Sequence, residues 1–147
     1  MTVAYAIEPF DQIVPDAKPM LSANFAEMAT YQDIPLDPNW DFYQKANAIG
    51  MVRFYSVRDD GELIGYAVYV VVPRHSQYAH PWATSNLIWI RPDRRRGRVG
   101  DGLIDFIERD LTGYVMQTAT SVDHPELAHL LKSRGHDPVE IVHSKRL

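Results

Sequence analysis

A turn rich in arginine and glycine constrains the fold of this chain more than any other feature of its sequence. Residues 89–104 hold five arginines and three glycines, and they join an apolar segment to one whose apolar residues recur at helical spacing. The first backbone N–H groups of a helix have no acceptor within the helix, and the helix dipole favours a negative charge beside them. The run therefore predicts a strand followed by an anion-binding helix N-terminus, with arginines that neutralise further phosphate charge.

Two common phosphate-binding motifs are missing from the sequence. No G-x-x-x-x-G-K-[ST] pattern occurs, and Gly97, Gly100 and Gly102 do not have the G-x-G-x-x-G spacing. The sequence therefore argues against a P-loop nucleotide triphosphatase and against a dinucleotide-binding protein.

The length of the chain and the distribution of its charge favour some classes of ligand over others. The 147 residues, 46% hydrophobic and 23% charged, predict one globular domain that spans residues 1–147. The formal net charge is −4, yet five of the fifteen lysines and arginines lie within residues 91–98. Positive charge concentrated at one place on an acidic chain favours a small polyanion over a long nucleic acid. We therefore do not expect a nucleic-acid partner.

Several other kinds of site are disfavoured by composition. The chain has no cysteine, which excludes disulfides, thiolate metal sites and a cysteine nucleophile. Its six histidines lack a metal-binding spacing, so no metal is predicted.

No apolar run reaches the ~18 residues that a membrane span needs, and the first residues do not resemble a signal peptide. A cytoplasmic protein without a membrane partner is the expectation.

The spacing of apolar residues predicts a mixed α/β architecture. A hairpin over residues 51–72, with Asp60 and Gly61 at its turn, gives the strongest signal. The other elements are expected, in chain order, as a strand at 3–7, helices at 15–31 and 40–50, a strand at 83–90, a helix that includes 103–111, a strand at 114–120, a helix at 123–132 and a last strand at 139–143.

Two segments resemble motifs of one enzyme family. Residues 94–99, Arg-Arg-Arg-Gly-Arg-Val, are similar to its acyl-CoA motif, which is Gln or Arg, two residues, Gly, one residue, and Gly or Ala. Residues 130–140 are similar to its aliphatic-tyrosine-x-x-x-Gly-Phe segment, with Leu131 at the tyrosine position and His136 at the phenylalanine position. Together with the predicted order of strands and helices, these two segments make the chain resemble the GNAT superfamily of acyl-CoA-dependent N-acetyltransferases. Residues 141–147 also resemble the end of short members, some of them encoded by bacteriophages.

The resemblance implies a mostly antiparallel central sheet flanked by about four helices. It also implies an acyltransferase that moves an acetyl group from acetyl-CoA to a primary amine of a small molecule or protein, by direct attack in a ternary complex. The residues implied to hold acetyl-CoA are Ile88, Trp89 and Ile90 on the fourth strand, and Arg94, Arg95, Arg96, Gly97, Arg98, Val99, Gly100 and Asp101 in the turn. A homodimer is common in the family, and no feature of this sequence fixes the oligomeric state.

The catalytic residues are less well defined by the sequence. His80 is a candidate general base, because histidine titrates near neutrality, and Asn86 is a candidate for orienting a water or the amine. His75, His124 and a chain of waters without a dedicated base are alternatives. Leu131 replaces a tyrosine that often serves the family as general acid. A second hypothesis is therefore a GNAT-fold CoA-binding, regulatory or interaction protein with little or no turnover.

Overall fold

A five-stranded sheet in the order β1-β2-β3-β4-β5 runs through this protein, seen in a computed structural model that describes residues 2–147. The elements are β1 (Val3–Glu8), α1 (Phe10–Ala17), α2 (Leu21–Met28), α3 (Trp40–Ala48), β2 (Val52–Asp59), β3 (Glu62–Val72), β4 (Trp82–Ile90), α4 (Val99–Asp110), β5 (Val115–Gln117) and α5 (Glu126–Ser133). Strands β1 to β4 pair antiparallel, and β5 runs parallel to β4. The predicted mixed α/β class with a mostly antiparallel sheet is therefore confirmed.

The first predicted helix is an interrupted one. A three-residue 3₁₀ turn at Lys18–Met20 joins α1 to α2, and it contains Pro19, which has no N–H to donate to a preceding carbonyl. The helix begins at Phe10, earlier than the predicted residue 15, because the side-chain oxygen of Asn47 accepts a hydrogen bond of 3.0 Å from the Phe10 N–H. This contact joins positions far apart in the sequence, so the local pattern did not reveal it. None of the helices within residues 2–147 has the length and apolar character of a membrane span.

The hairpin of β2 and β3 confirms the strongest element prediction. Asp59 lies opposite Glu62, and the two residues between them have positive φ angles, +49° at Asp60 and +87° at Gly61. A two-residue turn of this kind has a twist that matches the twist of antiparallel strands. The turn therefore fixes the register in which β2 pairs with β3, and these two strands lie in the central part of the sheet.

Helices cover both faces of the sheet. On one face, Leu103 and Ile107 of α4, with Leu111 directly after it, form a cluster with buried residues of β2 and β3. On the other face, Ile13 and Val14 of α1 pack with Ala46 of α3 and with the strand residues whose side chains lie on that face of the sheet. The central strands β2 and β3 are therefore covered on both faces, whereas more of the residues of β4 and β5 are partly exposed.

The close packing of β1 on α4 depends on Gly102. A Cβ atom at this position would lie 2.2 Å from the hydroxyl oxygen of Tyr5. That hydroxyl donates a hydrogen bond of 2.9 Å to the carbonyl oxygen of Val99, and the Tyr5 ring stacks on Phe106. Because the ring is held on two sides, it has little room to give way.

The predicted strand at residues 139–143 is wrong, because the chain after α5 has no regular secondary structure. The segment crosses instead to the loop between α2 and α3, where Ser144 contacts Tyr31 and Arg146 pairs with Asp33. Its β-branched residues favour a strand only where a neighbouring strand supplies backbone partners. Within the described part of the chain, no strand lies beside it.

A buried carboxylate ties β1 to β2 and α1. The Glu8 side chain is 3% exposed, and it accepts hydrogen bonds from the Arg58 Nε and Nη2 atoms at 3.0 and 2.8 Å. Asp16 of α1 contacts the same guanidinium group at 2.9 Å. Burial opposes the ionisation of Glu8, but the hydrogen bonds from Arg58 outweigh it and hold the pKa of Glu8 below its ordinary value.

We expect Gly102→Ala to lower the free energy of unfolding by about 1–3 kcal/mol, because the added methyl group displaces the Tyr5 ring. Gly100→Ala in the same helix is the matched control, since its Cβ would meet ordinary contacts at 3.8 and 3.9 Å. The control is expected to be neutral or slightly stabilising. Urea unfolding of the three proteins measures both effects. Equal stability of the two variants would contradict the packing described for Tyr5.

The paired Glu8 carboxylate predicts an acid-dependent loss of stability. Its pKa is lower in the folded chain than in the unfolded one, so its contribution is complete above the unfolded-state pKa and is lost as pH falls through the folded-state pKa. We expect Glu8→Gln to lower the free energy of unfolding by about 1–3 kcal/mol near neutrality and by less near pH 3.5. Urea unfolding at both pH values tests this. A difference that does not change with pH would show that the charge of Glu8 is not responsible.

Candidate active site

The pairing between β4 and β5 ends early and leaves an open edge. Only residues 82–84 of β4 pair with β5, so the two strands separate beyond this point. The Ser85 hydroxyl oxygen accepts a hydrogen bond of 2.8 Å from the backbone N–H of Ala119, which holds the chain after β5 where the separation begins. Among the described residues, no strand lies beside residues 86–90 of β4 on this edge. The backbone groups of residues 86–89 that point away from β3 are therefore available to a ligand, whereas the Ile90 carbonyl oxygen already accepts from Arg95.

A β-bulge lies at the start of the open edge. In the ladder with β3, Ser85 is opposite Tyr69 and Leu87 is opposite Val68, so Asn86 has no partner residue. The Asn86 side-chain oxygen accepts a hydrogen bond of 2.7 Å from the hydroxyl group of Tyr43 on α3. Bulges redirect side chains and often lie next to active sites. Here the bulge joins the open edge of β4 to the helix layer on one face of the sheet.

Unpaired backbone amides line the turn between β4 and α4. Gly97 has a φ of +59°, a conformation that L residues with a side chain rarely adopt. Helix α4 begins at Val99 without a side-chain cap. Within residues 2–147, no protein acceptor receives the backbone N–H groups of Arg96, Gly97, Arg98, Gly100 and Asp101. Unpaired amides at a helix N-terminus are groups that can bind an anion such as a diphosphate.

Most arginines of the turn are paired with carboxylates. The pairs are Arg91 with Glu62 and Asp93, Arg94 with Asp59 and Glu62, Arg95 with Glu27, and Arg98 with Asp101. Arg96 is exposed and makes no ion pair within the described part of the chain. The arginines therefore hold the shape of the turn as much as they supply charge to it, and Arg96 is the one left to meet a ligand.

A network through Glu27 connects α2 to the turn. Its carboxylate accepts a hydrogen bond of 2.6 Å from the Trp89 indole N–H and one of 2.7 Å from the Arg95 Nη1 atom. The Arg95 Nε atom also donates to the carbonyl oxygen of Ile90 at 2.8 Å. The hydrogen bond from Arg95 is the largest cause that lowers the pKa of Glu27, and it outweighs the opposing effect of burial. The ionised carboxylate thus fixes the end of β4 against α2.

A cavity of about 550 Å³ lies on the α1–α3 face of the sheet and reaches β4 at Asn86 and Leu87. Its walls are mainly apolar side chains of α1, α2, α3, the loop after α2, and strands β2 to β4. Asp37 is the one acidic or basic residue among those that line it. Asn24 also lines the cavity, and its amide donates a hydrogen bond of 2.7 Å to the Tyr66 hydroxyl group. The cavity therefore meets the open edge of β4 at the bulge.

The structure gathers the predicted acetyl-CoA residues along one path. Residues 88–90 end β4, and residues 94–101 form the turn and the first helical positions. The side chains of Trp89 and Ile90 are buried, so these residues offer their backbone to the open edge. Val99 is also buried, in the cluster under α4, and its side chain therefore points away from the exposed turn.

The two predicted catalytic residues are not brought together. Asn86 lines the cavity, whereas His80 lies in the exposed loop before β4 and is not among the lining residues. At a strand rise of about 3.3 Å per residue, Trp82 at the start of β4 is already about 13 Å from Asn86, and His80 precedes Trp82. His75 packs on Trp82 in the same region, with ring centres 4.3 Å apart. Leu131 is buried in α5.

The sequence analysis did not single out Glu27 or Asn24. Asn24 is 5% exposed and lies on the apolar side of α2, between Leu21 and Met28 at helical spacing. A polar residue on the apolar face of a helix is the signal that marks such a position. The role of Glu27 had no comparable signal, because its partners are distant in the sequence. In the described part of the chain, no group of three or more acidic residues or histidines is placed to hold a metal ion.

Comparison with protein families gives a match over most of the chain. Residues 17–135 match the model described as the acetyltransferase (GNAT) family. None of the curated proteins matches the chain.

Solved structures share the fold at low sequence identity. A ribosomal-protein-alanine N-acetyltransferase from Brucella melitensis biovar Abortus 2308 has a TM-score of 0.75 at 16% identity, covering 100% of this chain and 99% of its own. An aminoglycoside acetyltransferase from an uncultured soil metagenomic sample has a TM-score of 0.77 at 12% identity. The match covers 99% of the present chain and 95% of the aminoglycoside acetyltransferase. A predicted acetyltransferase from Clostridium acetobutylicum, solved with acetyl-CoA, has a TM-score of 0.70 at 10% identity, and the match covers 99% of the present chain and 96% of the Clostridium protein. The full length of the chain thus has a known fold.

We expect Arg96 and Arg94 to respond differently to substitution. Arg96→Ala removes a charge that no carboxylate holds, so it should weaken the binding of CoA roughly threefold to tenfold at unchanged stability. Arg94→Ala leaves Asp59, which is 8% exposed, without its guanidinium partner and should lower the free energy of unfolding by about 1–3 kcal/mol. Calorimetric titration and urea unfolding measure the two effects. A loss of affinity in Arg94→Ala alone, without loss of stability, would reverse the roles given to the two arginines.

Proposed function

Because the chain belongs to the GNAT acetyltransferase family, we propose that it transfers an acetyl group from acetyl-CoA to a primary amine in a ternary complex. The single observation that carries this proposal is the alignment of two features. The five unpaired amides of the turn lie at the end of the same open β4 edge that begins at the cavity. A ligand with a diphosphate at one end and an amide-bearing arm at the other matches this arrangement.

The residues of the turn and of β4 fit acetyl-CoA. The amides of residues 96–101 would bind the diphosphate, with Arg96 adding a charged hydrogen bond. The backbone groups of residues 86–90 would bind the pantetheine amides. Acetyl-CoA supplies the thioester whose carbonyl carbon the amine attacks. Because the open edge begins at Asn86, the thioester would lie where the cavity meets β4.

The protein contributes to the reaction mainly by placement and by hydrogen bonding. The neutral amine nitrogen forms the new C–N bond, and a backbone N–H of β4 stabilises the charge on the carbonyl oxygen. When the C–S bond breaks, the thiolate of CoA takes up a proton, which the amine releases directly or through water. The apolar walls of the cavity disfavour the ammonium form of a bound amine, which lowers its pKa and lets it react without a dedicated base.

Tyr43 and Asn86 are proposed to position the amine. Burial raises the pKa of Tyr43, so its hydroxyl group keeps its proton and donates to the Asn86 side-chain oxygen. This leaves the Asn86 amide N–H groups oriented by α3 and free to face the cavity. We therefore assign Asn86 a positioning role, and we do not include the distant His80 in the reaction.

A second candidate function is CoA binding with little or no turnover. It is favoured by one observation, the buried Leu131 on α5, a helix that has no tyrosine to protonate the leaving thiolate. Release of free thiol from acetyl-CoA in the presence of amines separates the two functions. Binding without thiol release from any amine would support this second candidate.

We expect acetyl-CoA and CoA to bind with micromolar affinity and Gly97→Glu to weaken binding at least tenfold. The new carboxylate would lie beside the unpaired amides and repel the diphosphate. Gly113→Glu is the matched control, because Gly113 also has a positive φ, +91°, and both glycines have open space around a Cβ. Each variant carries a similar backbone strain of roughly 1–2 kcal/mol.

Calorimetric titration of the three proteins with CoA decides the point. The control should bind as the natural protein does, since Gly113 follows the opposite end of α4. Equal affinity for all three proteins would show that CoA does not bind at the turn.

A further inference from the structure

We infer that the acceptor is a small primary amine carried on an apolar, preferably aromatic, body with a single positive charge. The inference rests on the proposed acetyl transfer and names the class of amine that the same site takes. It follows from the volume, the apolar lining and the charge of the cavity beside Asn86.

The volume of the cavity suits a small molecule. At about 550 Å³ it lies within the range of roughly 300–1,000 Å³ that is typical of small-molecule sites. Apolar and aromatic side chains form the part away from β4, among them Ile13, Phe25, Met28 and Phe54. These walls gain most from the burial of an apolar ligand surface.

The charge of the cavity disfavours a polycation. Asp37 is the one carboxylate among the lining residues, and it lies at the exposed rim. A buried ammonium group without a carboxylate partner is strongly unfavourable. An aminoglycoside or a polyamine has several ammonium groups. An amine with one charge has a single ammonium group, which Asp37 at the rim can attract and which can lose its proton in the apolar cavity.

The polar groups inside the cavity are few and lie toward the strands. The Tyr43 hydroxyl donates to Asn86, and the Asn24 amide donates to the Tyr66 hydroxyl group, so much of their hydrogen-bonding capacity is already used. Asn86 is the polar residue on β4, where the thioester is proposed to bind. The amine end of the acceptor would therefore face β4, and its apolar body would face α1 and α2.

The loop after α2 forms the outer wall of the cavity. Tyr31, Ile34 and Leu36 of this loop line the cavity, and the side chains of Ile34 and Leu36 are also partly exposed to solvent. The C-terminal segment contacts the loop through Ser144 with Tyr31 and through Arg146 with Asp33. A small apolar body in the cavity would therefore also cover apolar loop side chains that are otherwise in contact with water.

The test is acetyl transfer to three amines of different charge and polarity: 2-phenylethylamine, spermidine and kanamycin. Thiol release from acetyl-CoA gives kcat/KM for each amine. We expect 2-phenylethylamine to exceed both polycations at least tenfold. A higher kcat/KM for spermidine or kanamycin would overturn the inference while leaving the proposed acetyl transfer intact.

A cavity-filling variant tests the site without relying on turnover. Ala17→Phe places a ring at a lining position, whereas Ala48→Phe places it at an exposed position near the end of α3. Binding of 2-phenylethylamine, followed by tryptophan fluorescence because Trp40 lines the cavity, should weaken about tenfold in Ala17→Phe only. CoA affinity should not change in either variant.

The two measurements separate the possible failures. Binding of 2-phenylethylamine that Ala17→Phe blocks, without thiol release, would support the class of ligand and refute the proposed transfer. Absence of such binding, or binding that both variants leave unchanged, would overturn the inference whether or not acetyl transfer to another amine occurs.

Discussion

The separation of β4 from β5 is the constraint on which the rest of the site depends. The pairing stops after three residues of each strand, and the hydrogen bond between Ser85 and Ala119 marks the point at which the chain leaves the sheet. Because β4 remains paired to β3 along its other edge, the free edge is held in place by the core of the protein. The free edge of β4 and the unpaired amides of the turn are thus held in fixed positions at the two ends of a short 3₁₀ turn, and we propose that one long ligand reaches both.

Paired charges explain how an acidic chain holds an arginine-rich turn. The guanidinium groups of Arg94 and Arg95 are bound to carboxylates of the β2–β3 hairpin and of α2, which anchor the turn at two separate places. Recognition of an anion then rests chiefly on amides whose direction the fold fixes. Their partial charges are small, but they are already oriented, so little reorganisation accompanies binding. The proposed affinity of the turn for an anion would then depend on local geometry more than on net charge.

The sequence predicts those features that local chemistry determines. The hairpin was predicted because Asp60 and Gly61 suit positive φ angles, and the strand that carries Asn86 was predicted from its apolar residues. The turn before α4 was predicted because glycine and arginine precede an amphipathic helix, and its binding of an anion stays a prediction. The resemblance to a known family predicted the mostly antiparallel sheet. Contacts between distant positions were not predictable: Glu27 reaches Trp89 and Arg95 only after folding. The last strand was predicted from β-branched residues, and it fails because a strand also requires a neighbour.

The C-terminal segment gives the molecule a region of low local stability beside its cavity. Among the described residues, two side-chain contacts join the last nine residues to the loop after α2, and no backbone ladder supports them. Segments held so weakly detach far more often than a sheet unfolds. The loop can therefore move outward in brief local openings while α4, the turn and the five strands keep their structure. Such openings would change the outer wall of the cavity without disturbing the turn before α4.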